Sequence, residues 1–423
     1  MKPSQQTDQS VDIIIVGGGI VGLSLANALA NTDFTVAVVE QAAAMPVPEN
    51  DQTDLRVSAI NPRAVAFFKS AGVWPHLQQR FCAYEKMFVW DTTGLGQIQF
   101  DSAELGLAEL GCIIENSVLV QALWENLHQA ENIHCYHPAE IIAMTPVIDD
   151  SGIEGSVNNG SHNGGSSIPV RYAVRLHDDN AAATLTLSTR LLVGADGARS
   201  SVRKVAGFKP VRHSYQQQGL VCAVTTQYPH QQTAWQCFMP SGPLAFLPLF
   251  NHQSSIVWSL DDAEAQAMLA LDDSAFKQAL AQASEYKLGD ILAVSERKLF
   301  PLGHGHVKDY VKPGLALIGD AAHTIHPLAG QGANLGIADA LCLAEVITQA
   351  KAAGRQWNAL HTLLKYQRQR KLDNRLMENA MTGFKILFGQ NNPVLAEVRN
   401  TGLNLVDHLP IIKNRFIQQA LGV

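Results

Sequence analysis

The run Val11-Asp12-Ile13-Ile14-Ile15-Val16-Gly17-Gly18-Gly19-Ile20-Val21-Gly22 confines this chain to a small set of folds, because an apolar strand enters a glycine turn that opens a helix. Gly17 allows the tight turn, Gly19 lets the backbone come close to a pyrophosphate, and Gly22 with Ala26 lets the helix pack on the sheet. Unpaired N–H groups and the helix dipole at that N-terminus favour phosphate. A second apolar strand, Thr35-Val36-Ala37-Val38-Val39, ends at Glu40, at about the twenty-residue offset where a carboxylate accepts ribose hydroxyls. An acid there selects against a ribose phosphate. NAD and FAD both satisfy this fingerprint.

Two further runs share the form of an apolar strand, a turn and a helix start. In Ile318-Gly319-Asp320-Ala321-Ala322-His323-Thr324-Ile325-His326-Pro327-Leu328-Ala329-Gly330-Gln331-Gly332-Ala333-Asn334 an acid and a glycine-rich turn stand between strand and helix. Together with the first motif, this suggests FAD gripped at both ends. Leu191-Leu192-Val193-Gly194-Ala195-Asp196-Gly197 leads into Ala198-Arg199-Ser200-Ser201-Val202-Arg203, and taken alone it reads equally well as an ordinary strand, turn and helix cap.

With three such motifs in this order, the chain resembles the class A flavoprotein monooxygenases, the para-hydroxybenzoate hydroxylase-like group. The resemblance implies an α/β fold: a Rossmann-like FAD-binding domain, an inserted, mainly β-sheet substrate domain and C-terminal helices. It implies that Gly17, Gly19, Gly22 and Glu40 bind the ADP half of FAD, and that Asp196 serves both FAD and a transient NAD(P)H. Gly319 and Asp320 would hold the ribityl chain, and a carboxylate preceded by glycine can take two hydroxyl donors at close range. The segment from Pro327 through Gly332, Ala333 and Asn334 would lie along the isoalloxazine ring, where helix-start amides suit an anionic reduced flavin.

The resemblance narrows to the ubiquinone-biosynthesis aromatic hydroxylases. It is carried by Asp54-Leu55-Arg56-Val57-Ser58-Ala59-Ile60, Gly72-Val73-Trp74, Leu110-Gly111-Cys112-Ile113-Ile114-Glu115-Asn116, the stretches 242–249, 255–259 and 300–302, and the whole 318–334 run. By this resemblance Arg56 stands near the pyrophosphate, which suits its bidentate fork, and Asn116 near the flavin. The chain departs from the family at Cys237, where relatives often carry Arg before the Phe, so no role is given to that cation.

The implied reaction is hydroxylation of a prenylated phenol or quinol with NAD(P)H and molecular oxygen through a flavin hydroperoxide, chemistry that belongs to the cofactor. Three other readings stay open: a hydroxylase of a small soluble aromatic, a non-catalytic flavin-binding subunit of a quinone-biosynthesis complex, and an oxygen-independent oxidoreductase. Only one dinucleotide fingerprint is visible, so NAD(P)H is expected to bind transiently. No catalytic residue is assigned; His326 and Pro327 are the flavin- or substrate-facing candidates. His323 and His326 lie in the turn before the helix rather than on one helix face, so metal is not expected. His326 is read as ordering the loop, or as assisting phenol deprotonation.

At 423 residues two to three domains are expected. The FAD-binding domain is expected from 1–84, 107–208 and 300–345, the substrate domain from 85–106 and 209–299, and a helical C-terminal region from 346–423. Gln218–Thr226, Leu244–Leu249 and Ser255–Leu260 read as strands, and Asp262–Ala283 has helical spacing. The loop 149–165, rich in Gly, Ser and Asn, reads as a flexible hairpin insertion. Tyr215, Phe246, Trp258 and Phe384 are read as core more readily than as substrate contacts, and Arg199 and Arg203 as exposed helix-end charges or NAD(P)H guides.

A net charge of −7 argues against a nucleic-acid surface. The six cysteines form no CxxC pair, so disulfides and structural zinc are not expected, and a reducing cytoplasm fits. Met1–Ser10 is polar and the strand-helix beyond it is broken by glycines, so neither a signal peptide nor a membrane span is expected. The expected location is the cytoplasm. The apolar spacing of 384–388 and 403–421 favours core packing, with peripheral contact at the inner membrane, a quinone-biosynthesis complex and a homo-oligomer left open.

Overall fold

The computed structural model of this chain describes residues 7–43, 47, 52–77, 79–92, 94, 96–147, 171–178, 183–324 and 332–388. The candidates His326 and Pro327, the loop 149–165 and the stretch 403–421 lie outside the described residues.

The fold is α/β, and its strands sort into three sheets among the described residues. The first is built on parallel strands whose side chains are buried on both faces, as their near-continuous Ile, Leu and Val runs require. Its main path runs Val311–Lys312, Leu315–Leu317, Ala183–Gly194, Thr7–Val16, Val36–Val39 and Ile133–Tyr136. The strands Arg171–Asp178 and Ala139–Val147 extend it as antiparallel neighbours. Helices Ile20–Leu29, Gly332–Ala352 and Leu360–Phe388 belong to this half, and Ile13, Ile14, Ile15, Leu25, Leu343 and Tyr366 share one core.

The second sheet is antiparallel except where Thr233–Met239 runs parallel to Lys86–Asp91. Its long central strand Pro210–Thr226 pairs with Ser254–Asp261 on one side and with Lys298–Val307 and Ile291–Val294 on the other. Phe246 and Trp258 are buried in its own core with Phe276, as expected of core aromatics. Tyr215 is half-buried with its ring 4.8 Å from that of His304, and Phe384 lies on the described backbone of the C-terminal helix. A third sheet joins Val57–Ile60, Gly111–Glu115 and Phe81–Tyr84.

Three expectations need correction in detail. Asp262–Ala283 is two helices, Asp262–Ala270 and Asp273–Ala283, because Leu271 turns extended and the Asp272 carboxylate caps the second helix by accepting from the Ala275 amide at 2.8 Å. The boundary at 300 falls inside Lys298–Val307, which stays in the second sheet through Val307. The boundary at 345 falls inside the continuous helix Gly332–Ala352.

All six cysteines are free. Among the described residues no group of His, Cys, Asp and Glu could hold a metal, and no helix is long and apolar enough to cross a membrane.

Candidate functional site: the carboxyl ends of three strands

The three motifs, dispersed along more than three hundred residues of sequence, end side by side. Thr7–Val16, Ala183–Gly194 and Leu315–Leu317 are parallel neighbours in register Val16↔Gly194 and Gly194↔Leu317. The Ala195 amide donates to the Val16 carbonyl at 2.7 Å, and the Ile318 amide to the Gly194 carbonyl at 3.0 Å. All three glycine or acidic turns therefore leave the sheet at one carboxyl edge, where open α/β sheets bind ligands.

At the first turn Gly17 adopts φ +112°, and a Cβ there would stand 2.4 Å from the Ala195 carbonyl oxygen. Gly22 packs in the same place, against the Gly17 carbonyl. Gly19 is the N-cap of helix Ile20–Leu29 with no side-chain cap, and the space beyond its Cα is open. The helix start thus has no side-chain cap and no described atom crowding Gly19, as an anion site requires. Glu40 stands at the end of Val36–Val39, with Oε2 accepting from the Gly18 amide at 2.6 Å and Oε1 from the Ala42 amide at 2.7 Å. Each oxygen retains a lone pair for a hydroxyl donor.

Asp196 has two jobs. Its Oδ2 accepts from the Ser201 amide (2.6 Å), the Ser201 hydroxyl (2.8 Å) and the Val202 amide (3.2 Å), which fixes the short helix Ser201–Val205. Its Oδ1 is buried and has no hydrogen-bond partner among the described residues. A buried acceptor without a donor is costly, so a ligand donor fits there. Arg199 is exposed, but Arg203 is neither an exposed charge nor a nucleotide guide. It is buried, and its guanidinium donates to the carbonyls of Ala198, Asp320 and Ala321. It ties the second motif to the third.

The third motif crosses between sheets. After Leu317 it forms the turn Gly319–Ala321, then His323–Thr324 pairs with Gly305 and His306 on the edge of the second sheet. Gly319 takes φ +58°, and a Cβ there would stand 3.1 Å from the methyls of Val21 in the first motif's helix. Asp320 retains an open surface, yet protein surrounds it densely, and this pushes its carboxyl above the ordinary range. His323, Arg56 and Arg203 pull it back down, while Asp339 pushes it up. The Asp320 carboxylate makes no hydrogen bond among the described residues, so its acceptors are available.

Arg56 is held beside this carboxylate by its backbone. Its amide donates to Asp54 Oδ1 at 3.1 Å, its carbonyl accepts from the Asn116 amide at 2.9 Å, and its guanidinium lies over the Phe300 ring at 5.8 Å. The buried Glu115 anchors this strip by accepting from the Asp54 amide and from Arg80. Burial pushes the Glu115 carboxyl up, against the pull of the Asp54 amide and Arg80. The Asn116 Oδ1 accepts from the Ser58 hydroxyl at 2.7 Å.

Gly332 and Ala333 open the long helix, and among the described residues no atom lies within 4 Å of a Cβ built on Gly332. Asn334 turns away into a brace: Nδ2 donates to the Ala59 carbonyl at 2.7 Å, and Oδ1 accepts from the Asn61 amide at 3.0 Å. Replacing Asn334 with Ala removes two neutral bonds of roughly 1 kcal/mol each. We expect about 2 kcal/mol of destabilisation in urea unfolding, and an unchanged midpoint would dismiss the brace.

Sequence reasoning passed over Asp339. It is fully buried on helix Gly332–Ala352 and accepts from the Gly319 amide, His323 and Arg370. Burial pushes its carboxyl up, but His323 and Arg370 outweigh that and hold it below the ordinary range. The signal was present: a lone acid on the apolar face of a helical run needs a partner.

This sheet edge suits FAD. It offers uncapped amides for phosphates, carboxylate oxygens of Glu40, Asp196 and Asp320 for hydroxyl or N–H donors, and, among the described residues, uncrowded backbone at Gly19 and Gly332.

A family model described as an FAD binding domain matches residues 10–380. The chain is 35% identical over 422 residues to the 3-demethoxyubiquinol 3-hydroxylase of Escherichia coli (strain K12), covering 99% of this chain and 100% of the relative. It is 31% identical to the mitochondrial ubiquinone biosynthesis monooxygenase COQ6 of Danio rerio, covering 99% and 91%. Among solved structures, the p-nitrophenol 4-monooxygenase PnpA of Pseudomonas putida DLL-E4 matches with a TM-score of 0.75 at 16% identity, over 98% of each chain. PqsL of P. aeruginosa, solved with 2-aminobenzoylacetate, matches with a TM-score of 0.72 at 22% identity, over 94% of this chain and 100% of its own. At those identities the two structures speak to the fold alone.

Proposed function

This chain belongs to the ubiquinone-biosynthesis aromatic hydroxylases of the FAD binding domain family, and from that premise we infer how its own residues serve the reaction. It is an FAD-dependent monooxygenase that uses NAD(P)H and molecular oxygen to hydroxylate a polyprenylated phenol or quinol in ubiquinone biosynthesis. The observation that best supports the site is the convergence of three motif turns at one sheet edge. FAD, when bound, supplies the electron transfer and oxygen activation.

The chain's residues bind and orient. Amides at Gly19 and the helix it caps take the pyrophosphate, with Arg56 as its cation, and Glu40 takes the ribose hydroxyls. Asp196 Oδ1 takes a donor at the centre of the cofactor, and Asp320 a ribityl hydroxyl. Gly332 and Ala333 present helix-start amides to the ring, and Asn116 flanks it. Asn334 acts by bracing that helix start against Ala59 and Asn61. His326 and Pro327 are the proposed flavin- or substrate-facing pair.

Residues 1–84, 107–208 and 308–352 are assigned to the FAD-binding domain, and 85–106 with 209–307 to the substrate domain, because Lys298–Val307 stays in the second sheet and Gly332–Ala352 is one helix. The substrate domain supplies the wall that excludes water during oxygen transfer. A prenylated substrate resides in the bilayer, so the protein meets the inner membrane peripherally from the cytoplasm.

A host lacking this gene and any redundant hydroxylase should accumulate a prenylated intermediate one hydroxyl short of its normal product, seen by mass spectrometry. With purified protein, substrate-stimulated NAD(P)H oxidation should rise as the prenyl tail lengthens, since each buried methylene contributes about 0.8 kcal/mol. An unchanged quinone profile, or activity indifferent to the tail, would return the assignment to small soluble aromatics. Flavin binding without stimulated oxidation would make the chain a non-catalytic subunit.

A further inference from the structure

Beneath the third motif lies a charge hub that the cofactor assignment does not use. Asp339 Oδ2 accepts from the Gly319 amide at 3.0 Å and contacts His323 Nε2 at 2.5 Å. Its Oδ1 accepts from Arg370 Nε at 2.8 Å and from Asn374 Nδ2 at 3.4 Å. One oxygen thus holds the turn that carries Asp320, and the other holds the C-terminal helix Leu360–Phe388. A carboxylate has about four acceptor sites, and these four partners fill them.

The arrangement is more specific than a buried ion pair requires. Arg370 alone would neutralise Asp339, and Arg370 has its own further partners in Asp373 Oδ2 (2.8 Å) and Asn374 Oδ1 (3.0 Å). The second Asp339 oxygen is spent on the backbone of the motif. Gly319 sits in the left-handed region, so the direction of its amide sets where the next residue, Asp320, presents its carboxylate. His323, two residues beyond Ala321, holds the far end of the same turn to the same oxygen.

We propose that Asp339 is the positioning residue of the flavin site, clamping both ends of the Gly319–His323 turn so that Asp320 faces the ribityl chain, with Arg370 fixing the clamp to the C-terminal helix. This rests on the reading of Asp320 as an FAD ligand. Asp339 does not touch the cofactor. It acts through Gly319 and His323.

The test is a double-mutant cycle on FAD affinity, measured by flavin fluorescence titration of apoprotein. Asp339→Asn keeps the shape, and Arg370 keeps Asp373 and Asn374, so the fold has reason to survive. The variant should bind FAD at least fivefold more weakly and shift the bound flavin's visible band. Combined with Asp320→Ala, it should add little beyond Asp320→Ala alone, because both act through one contact. If the two losses multiply, or Asp339→Asn binds FAD as the parent does, the proposal is overturned. His323→Gln, which leaves the Asp339–Arg370 pair intact, runs the same cycle should Asp339→Asn prove insoluble. A parent protein that takes up no FAD, or an Asp320→Ala variant with parental affinity, would instead remove the underlying cofactor reading.

Discussion

Gly17→Val should purify colourless. The Gly17 backbone is at φ +112°, a region L side chains rarely adopt and β-branched ones least of all, at a cost of about 1–3 kcal/mol. Its Cβ would fall 2.4 Å from the Ala195 carbonyl oxygen, 2.6 Å from the Ala195 carbonyl carbon and 2.8 Å from the Asp196 amide nitrogen. Those are backbone atoms of the neighbouring motif and cannot swing aside as a side-chain tip would. Relief requires the first turn and the Asp196 turn to separate, which moves the uncapped amides at Gly19 and the free Asp196 oxygen together. We expect complete loss of FAD after dialysis, read from the flavin absorption bands. A variant that stays yellow at parental stoichiometry would refute the cradle.

Asp320→Ala should weaken FAD binding by tenfold or more, on the basis of about 1.5–3 kcal/mol for a hydrogen bond to a charged group. The same change should not harm the apoprotein. The folded environment raises the Asp320 pKa through burial, so the native state binds the proton more tightly than the unfolded chain. Its contribution to stability is therefore full below the ordinary carboxylate pKa and is lost as pH rises through the elevated folded value. At neutral pH the ionised carboxylate is a net burden on the empty fold. Asp320→Ala apoprotein should melt no lower than the parent at pH 7, while its FAD titration shows the loss. An apoprotein that melts several degrees lower would show that the carboxylate is structural.

Much of the site was legible because its signals are local. The glycine turns, the apolar strands before them and Glu40 are each read within a few residues, and the strands Gln218–Thr226, Leu244–Leu249 and Ser255–Leu260 all lie within observed strands or at their ends. Partners far apart in sequence were not legible. Arg203 reads as a helix-end charge until Asp320 and Ala321 are seen 117 and 118 residues away. Nothing near Asn334 in sequence announces that its side-chain amide bridges Ala59 and Asn61, 275 and 273 residues back. Asp339 needed Arg370 from another helix. The break at Leu271–Asp272 was missed for a different reason: a helical apolar spacing continues across it, and only the Asp272 cap marks the stop.

Because the third motif is hydrogen-bonded into both sheets, the time at which the chain can capture its cofactor is set by synthesis. The first turn leaves the ribosome at residue 17, but its neighbour strand ends at residue 194 and the last turn is complete only past residue 324, after the second sheet's edge strand Lys298–Val307 exists to receive it. At roughly 5–20 residues per second this interval lasts on the order of tens of seconds. Throughout it the nascent chain holds only part of the grip. Secure retention of FAD is then a late event, and a cell short of flavin should fill up with finished, empty protein rather than with stalled, half-loaded chains.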